Sequence, residues 1–268
     1  MKNQNNSQIV RNIIIFYVGA LILAIGGGLI AASGQEVGSL LFILSPLIMI
    51  FIVRYLLGDG WKDAGLSLKI KENKGWYLFA LLAFPIIFPI ITVVNALLGF
   101  VSITMPFPEL LAPALMRFAM QLIPGMIFAM SEEWGWRGYL EPRFSQLGVS
   151  DLRRHILVGL LWGIWHIPFI LSTDYTSVPL PIFLPLFIVA VIFLAIIYGQ
   201  MRASSGSVWP VVFVHGMSNA VGFAVLGGNL IAYNNELFGA IVPGGITISL
   251  VYGLIALLLM QRRKRKSS

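Results

Sequence analysis

The sequence predicts an all-α, polytopic membrane protein with about eight transmembrane helices. Three observations predict it. Of the 268 residues, 58% are hydrophobic and only 11% charged, the mean hydropathy is +0.87, and the apolar residues fall in runs long enough to cross about 30 Å of hydrocarbon. The runs cover roughly 12–32, 39–57, 76–100, 113–131, 156–172, 180–200, 208–226 and 238–261. The fifth is the shortest. The first has no small-residue cleavage site close behind it and is longer than a signal core, so it reads as a retained helix.

Charge placement orients these helices. With the N-terminus in the cytoplasm, all of the 18 basic residues except Arg117 fall on inner segments. They are Lys2 and Arg11, Arg54, Lys62, Lys69, Lys71 and Lys74, Arg137, Arg143, Arg153 and Arg154, Arg202, and the tail RRKRK. The outer segments carry Glu36, Glu109, Asp174 and Glu236. By the positive-inside rule both termini of this cell-membrane, multi-pass chain face the cytoplasm. The net charge of +7 then reads as orientation and contact with the anionic bilayer surface, with no nucleic-acid partner. The chain has no cysteine, which excludes disulfides, thiolate metal sites and a cysteine nucleophile.

No internal repeat is visible, and the one extended polar segment, GDGWKDAGLSLKIKENKG at 58–75, reads as an interfacial loop, partly helical at most. A single transmembrane domain over residues 1–268 is expected, with its motif-bearing core at about 113–226. Pro85 and Pro89 in the third run and Pro124 in the fourth are expected to kink their helices.

Polar groups at membrane depth cost free energy, so they point to function. MSEEWGWRGYL at 130–140 sets Glu132, Glu133 and Arg137 at the end of the fourth run. Glu132 is eleven residues before Arg143, His166 twelve after Arg154, and His215 thirteen after Arg202. At 1.5 Å rise per residue, all three lie roughly 16–20 Å from the inner anchors, which predicts one cluster on three helices. That depth favours a substrate arriving from the cytoplasm or laterally from the lipid.

Glu133 and Arg137, at i and i+4, pair on one helix face, while Glu132 points about 100° away. His215 and Asn219, also i and i+4, present a donor pair. His166 follows Trp162 and Gly163 in LLWGIWHIPF, with Pro168 just beyond. His155, beside Arg153 and Arg154, is expected at the interface, and Glu141 and Arg143, flanking Pro142, in solvent. Ser131 and Ser218 lack a triad around them and read as packing serines. Trp134, Trp136, Trp162, Trp165 and Trp209 read as packing or interfacial aromatics, some of which shape a cleft.

From the residues alone, several chemistries stay open. Two histidines and a glutamate with a vacant fourth position form a catalytic zinc pattern, so Glu132, His166 and His215 are candidate ligands for Zn2+. HExxH is absent and Asn219 is a poor zinc ligand, which favours a metal-free glutamate mechanism. A proton or ion relay is disfavoured, because the charges gather in one half of the chain and no inverted repeat is seen.

SEEWGWRGYL matches the EExxxR motif. WGIWH resembles FxxxH, with Trp162 where phenylalanine is usual, and SSGSVWPVVFVHGMSNAV matches the HxxxN element with its lead-in. In order and spacing, over about residues 128–222, these resemble the CPBP family of intramembrane proteases, also called the Abi or CAAX prenyl protease type II-like family. The resemblance implies a conical catalytic cavity open to the cytoplasm or lipid and an endopeptidase acting on a membrane-associated protein or peptide. Glu132 and His166 would activate water, His215 and Asn219 would stabilise the oxyanion, and Glu133 and Arg137 would support them. A zinc-dependent version of the same protease, and a non-catalytic peptide-binding protein of the bacteriocin-immunity or regulatory kind, are the alternatives.

Overall fold

A computed structural model describes residues 5–226 and 230–267. Lys2 lies outside them, as do the tail side chains from residue 263 onward.

Asn5 starts the first helix by a reciprocal cap. Its side chain accepts from the Gln8 N–H at 2.9 Å while Gln8 Oε1 accepts from the Asn5 N–H at 3.3 Å, which satisfies two orphan donors at the membrane entrance. The helix that follows, α1 (Asn6–Ala32), turns at 33–35 into α2 (Glu36–Phe51). The two can lie this close because Gly27 and Gly38 face each other. A Cβ on Gly38 would meet Ala31 N at 2.3 Å, and one on Gly27 would meet Phe42 N at 2.6 Å. α2 ends in a π-helical turn, Ile52–Leu56. α3 (Lys74–Leu97) runs unbroken through Pro85 and Pro89, and β1 (Val101–Ile103) follows.

α4 (Phe107–Gly135) continues through a second π-helical turn, Trp136–Leu140, into the short α5 (Glu141–Gln146). α6 (Asp151–Ser172) and α7 (Leu180–Ser205) form the next hairpin, and α7 stops at Gly206, whose φ of +62° is the left-handed cap that glycine tolerates. α8 (Trp209–Leu226), β2 (Ile231–Tyr233), α9 (Glu236–Gly239) and α10 (Ile246–Ser267) complete the described chain.

Among the described residues, seven helices are long and apolar enough to cross a membrane. They are α1, α2 with its π turn, α3, α4 with its extension, α6, α7 and α8, and Ile246–Arg262 of α10 is a shorter apolar helix. The eighth run therefore starts later than the expected residue 238. Pro243 lacks an N–H, and Gly244 sits at φ +108°, so the chain cannot enter the helix before Ile246. The all-α expectation also missed a small antiparallel sheet, in which Val101, Ser102 and Ile103 pair with Tyr233, Ala232 and Ile231. Strands of three residues carry too little pattern to be seen in sequence.

α7 runs through the centre, burying Phe187, Val191, Leu194, Ile197 and Tyr198. Large apolar side chains such as Ile22, Leu97, Ile123 and Leu250 lie exposed on the perimeter, the arrangement that a lipid solvent selects. The broadest helix contact is α4 with α8. Gly125 and Gly216 open that contact, since a Cβ on Gly216 would meet Met126 Sδ at 2.3 Å.

One end of the bundle holds most of the basic residues. The 58–73 stretch is a loop there, as expected, exposed over 67–72 and clasped to the bundle through Asp59 and Asp63, and beside it the structure corrects the expectations for Arg143, Glu141 and His155. Asp59 accepts from Asn12 at 2.6 Å and Tyr139 at 2.7 Å, and Asp63 pairs with Arg54 and Arg143, each at 2.9 Å. Arg143, expected in solvent, is 3% exposed, and Glu141 likewise is buried against Arg154 at 2.9 Å. His155, expected at the interface, is fully buried with Nδ1 2.7 Å from Glu141 Oε1. Charge pairing explains the change, since Arg143 meets Asp59 and Asp63 while Glu141 takes both Arg154 and His155. The π-helical turn draws two further guanidinium groups inward, its Gly138 carbonyl accepting from Arg54 and its Arg137 carbonyl from Arg202 at 3.3 Å.

The α1–α2 contact is testable. Gly38→Val should lower the thermal stability of the detergent-solubilised protein by at least about 1–3 kcal/mol, whereas Gly26→Ala, whose Cβ meets nothing within 4 Å, should leave the melting temperature in place.

Candidate active site

Glu132, His166, His215 and Asn219 line one cavity of about 240 Å3. The cluster expected from residue counting therefore forms. Its walls are mostly aromatic, with Phe42, Phe88, Phe128, Phe169, Phe187 and Tyr198 among them. Its course shows in the connections that line it. Tyr175, Val242 and Pro243, from the 173–179 and 240–245 connections, line it, whereas the 57–73, 147–150 and 206–208 connections contribute no lining residue. Those last connections belong to the basic end, which the Asp59 and Asp63 clasp closes. The cavity thus extends from the four residues toward the opposite end of the bundle.

α4 delivers the two glutamates in different directions, as their one-residue offset requires. Glu133 and Arg137 are both fully buried and pair at 2.9 Å across one helical turn. The same Glu133 Oε1 lies 2.8 Å from His215 Nδ1 on α8. Sequence reasoning missed this bond, because a separation of 82 residues leaves no local signal. A carboxylate only accepts, so Nδ1 carries the hydrogen and Nε2 is left for whatever enters the cavity. Arg137 has further company in the rings of Trp162 and Tyr198, whose centroids lie 4.5 and 5.1 Å from its guanidinium carbon. Planar guanidinium on aromatic faces is a favourable burial for donors that lack further acceptors.

α6 delivers His166. Its Nδ1 is 2.9 Å from the Trp162 carbonyl oxygen, one turn earlier. That oxygen too only accepts, so the imidazole again keeps Nε2 as its unengaged nitrogen. The ring is held by Trp165 at 4.7 Å and Phe187 at 5.3 Å between centroids. Glu132, 6% exposed, accepts at Oε2 from the Trp162 indole N–H at 2.6 Å. Its Oε1 has no hydrogen-bond partner among the described residues. Asn219 reaches the Gly125 carbonyl only at 3.4 Å, which leaves the carboxamide weakly held.

Of the serines, Ser131 donates to the Ile43 carbonyl at 2.7 Å in the α4–α2 contact, and Ser218 lines the cavity. The zinc pattern gains no support in the donor set. Among the described residues no three His, Cys, Asp or Glu side chains stand together as a metal site, and Glu132 commits one oxygen to an indole.

The helical bundle thus sets one carboxylate and two anchored imidazoles around an apolar, aromatic-rich cavity. Residues 113–221, from within α4 into α8, match the family described as type II CAAX prenyl endopeptidase Rce1-like, the family that the motifs resemble. The curated proteins give no significant match.

The buried triplet separates structural from chemical roles. Glu133→Ala should strand Arg137 and release His215, costing about 3–5 kcal/mol and lowering the yield of folded protein. Glu132→Ala, which removes only an indole acceptor, should be recovered close to wild-type yield. The measurement is the monodisperse fraction after solubilisation.

Proposed function

We propose that this protein is an intramembrane endopeptidase that hydrolyses a peptide bond of a membrane-associated protein or peptide. The observation that carries the reading is the joint presence of Glu132, His166, His215 and Asn219 around one cavity, in a segment of the CPBP family.

Water held between Glu132 Oε1 and His166 Nε2 loses a proton to this pair as its oxygen attacks the carbonyl carbon. The oxyanion that forms takes hydrogen bonds from His215 Nε2–H and the Asn219 amide. His215 can donate there while also donating to Glu133 only as an imidazolium, whose charge the Glu133 carboxylate 2.8 Å away offsets. The proton then passes to the leaving nitrogen as the C–N bond breaks, which returns the pair to its starting state. Glu133 and Arg137 support His215 without touching the substrate.

The apolar walls suit a substrate segment that is itself apolar. Its route follows the cavity toward the end opposite the basic one, past the half-buried Tyr175 and Val242, or laterally past Phe223, which is 43% exposed. The expected cytoplasmic orientation of both termini belongs to the same proposal. In it the substrate enters from the outer side or laterally from the lipid, which keeps the lateral route of the two that residue counting favoured and replaces the cytoplasmic one.

Two measurements test this. Glu132→Gln and His166→Ala should each lower cleavage by about 100- to 10,000-fold in protein that remains folded, read as wild-type-specific peptide termini by mass spectrometry of host membranes. Termini that are the same with wild type and Glu132→Gln would refute the protease reading, and one equivalent of zinc lost in the His166→Ala, His215→Ala double variant would replace the metal-free mechanism. Because the chain lacks cysteine, Ser218→Cys gives a single reporter in the cavity. It should react with a membrane-impermeant maleimide added on the side opposite the C-terminus, and reaction only from the C-terminal side would reverse the route.

A further inference from the structure

We propose that Trp162 is a positioning residue of the site, whose indole N–H fixes the Glu132 carboxylate so that Oε1 alone faces the reacting water. The inference rests on the proposed hydrolytic role of Glu132. It goes beyond that role because the FxxxH pattern usually has phenylalanine here, a ring with no donor, whereas this chain has an indole.

The geometry is specific. Trp162 is 3% exposed and donates to Glu132 Oε2 at 2.6 Å, at the short end of the range for charge-assisted bonds. A glutamate side chain at membrane depth has three rotatable bonds and no solvent to damp its motion, so one strong donor decides its rotamer. The same residue also touches three further groups around the site. Its carbonyl oxygen anchors His166 Nδ1 at 2.9 Å, its ring meets that of His215 edge-on at 5.4 Å, and its face carries the Arg137 guanidinium at 4.5 Å. Trp162 is held on both sides, by the buried cation and by α6, so the indole direction is set before Glu132 arrives. Both groups that the reaction uses on α4 and α6 are thus aligned by one residue, Glu132 through the side chain and His166 through the backbone. Replacing the side chain cuts the first tie and leaves the second.

Phenylalanine at 162 keeps the ring and the carbonyl but removes the N–H. Trp162→Phe should lower kcat about 10- to 100-fold, the size of one hydrogen bond to a charged group, with KM within a few-fold of wild type. Trp209→Phe is the control, since its indole donates to the Leu66 carbonyl at the same 2.6 Å distance, at the basic end away from the cavity. It should leave kcat in place. A second readout needs no activity. In 15N-labelled protein in detergent, the Trp162 indole resonance, assigned by its loss in Trp162→Phe or Trp162→Tyr, should shift upfield in Glu132→Ala while the other indoles stay. An indole signal that does not respond to Glu132→Ala overturns the bond and the inference with it, whatever the activity. A responding signal together with wild-type kcat in Trp162→Phe overturns the positioning role alone. Full cleavage by Glu132→Ala would instead remove the hydrolytic reading on which the inference stands.

Discussion

The buried charge of Glu133 is the constraint around which the site is arranged. A carboxylate with no exposed surface at membrane depth must have partners, and Glu133 has two, Arg137 one turn along α4 and His215 across on α8. The first bond fixes the start of the π-helical turn, and the second fixes the rotation of α8 against α4. Close approach of those helices at Gly125 and Gly216 then follows, as does the direction in which His215 offers its free nitrogen. Arg137 in turn requires aromatic faces, which brings Trp162 of α6 and Tyr198 of α7 to the same place. One charge thus links four helices.

The roles of the two adjacent glutamates diverge for the same reason. Glu133 spends both its charge and its position on protein groups. Glu132 faces the cavity with a single protein donor, whereas Glu133 does not line it, so the oxygen offered to the cavity is that of Glu132. Neighbours in sequence separated by about 100° of helical rotation can therefore hold one structural and one chemical charge without competing.

Much of this was legible in the sequence. Run length gave eight spans, of which seven stand among the described residues and the eighth is the shorter apolar helix from Ile246, and the i, i+4 spacing gave the Glu133–Arg137 pair, because both are local properties of one helix. Counting along helices also predicted that Glu132, His166 and His215 would meet. What was not legible depends on rotation between helices. The Glu133–His215 and Trp162–Glu132 bonds join residues 82 and 30 apart, and no periodicity encodes them. The one available signal was the tryptophan standing where phenylalanine is usual. The burial of Glu141, Arg143 and His155 was missed because loop charge reports which side of the membrane a residue is on and not whether it faces water.

The clasp at the basic end has a consequence for the order of assembly. Basic residues near helix ends are read during insertion, when each helix is still alone in lipid and its guanidinium groups are solvated. In the finished bundle Arg54, Arg143 and Arg154 are withdrawn from the surface and bound to Asp63, Asp59 and Glu141. The side chains that the positive-inside rule counts are thus a latch in the finished bundle. Once the latch has formed, a helix cannot invert without unpairing several buried ions at once, which raises the cost of any change of topology.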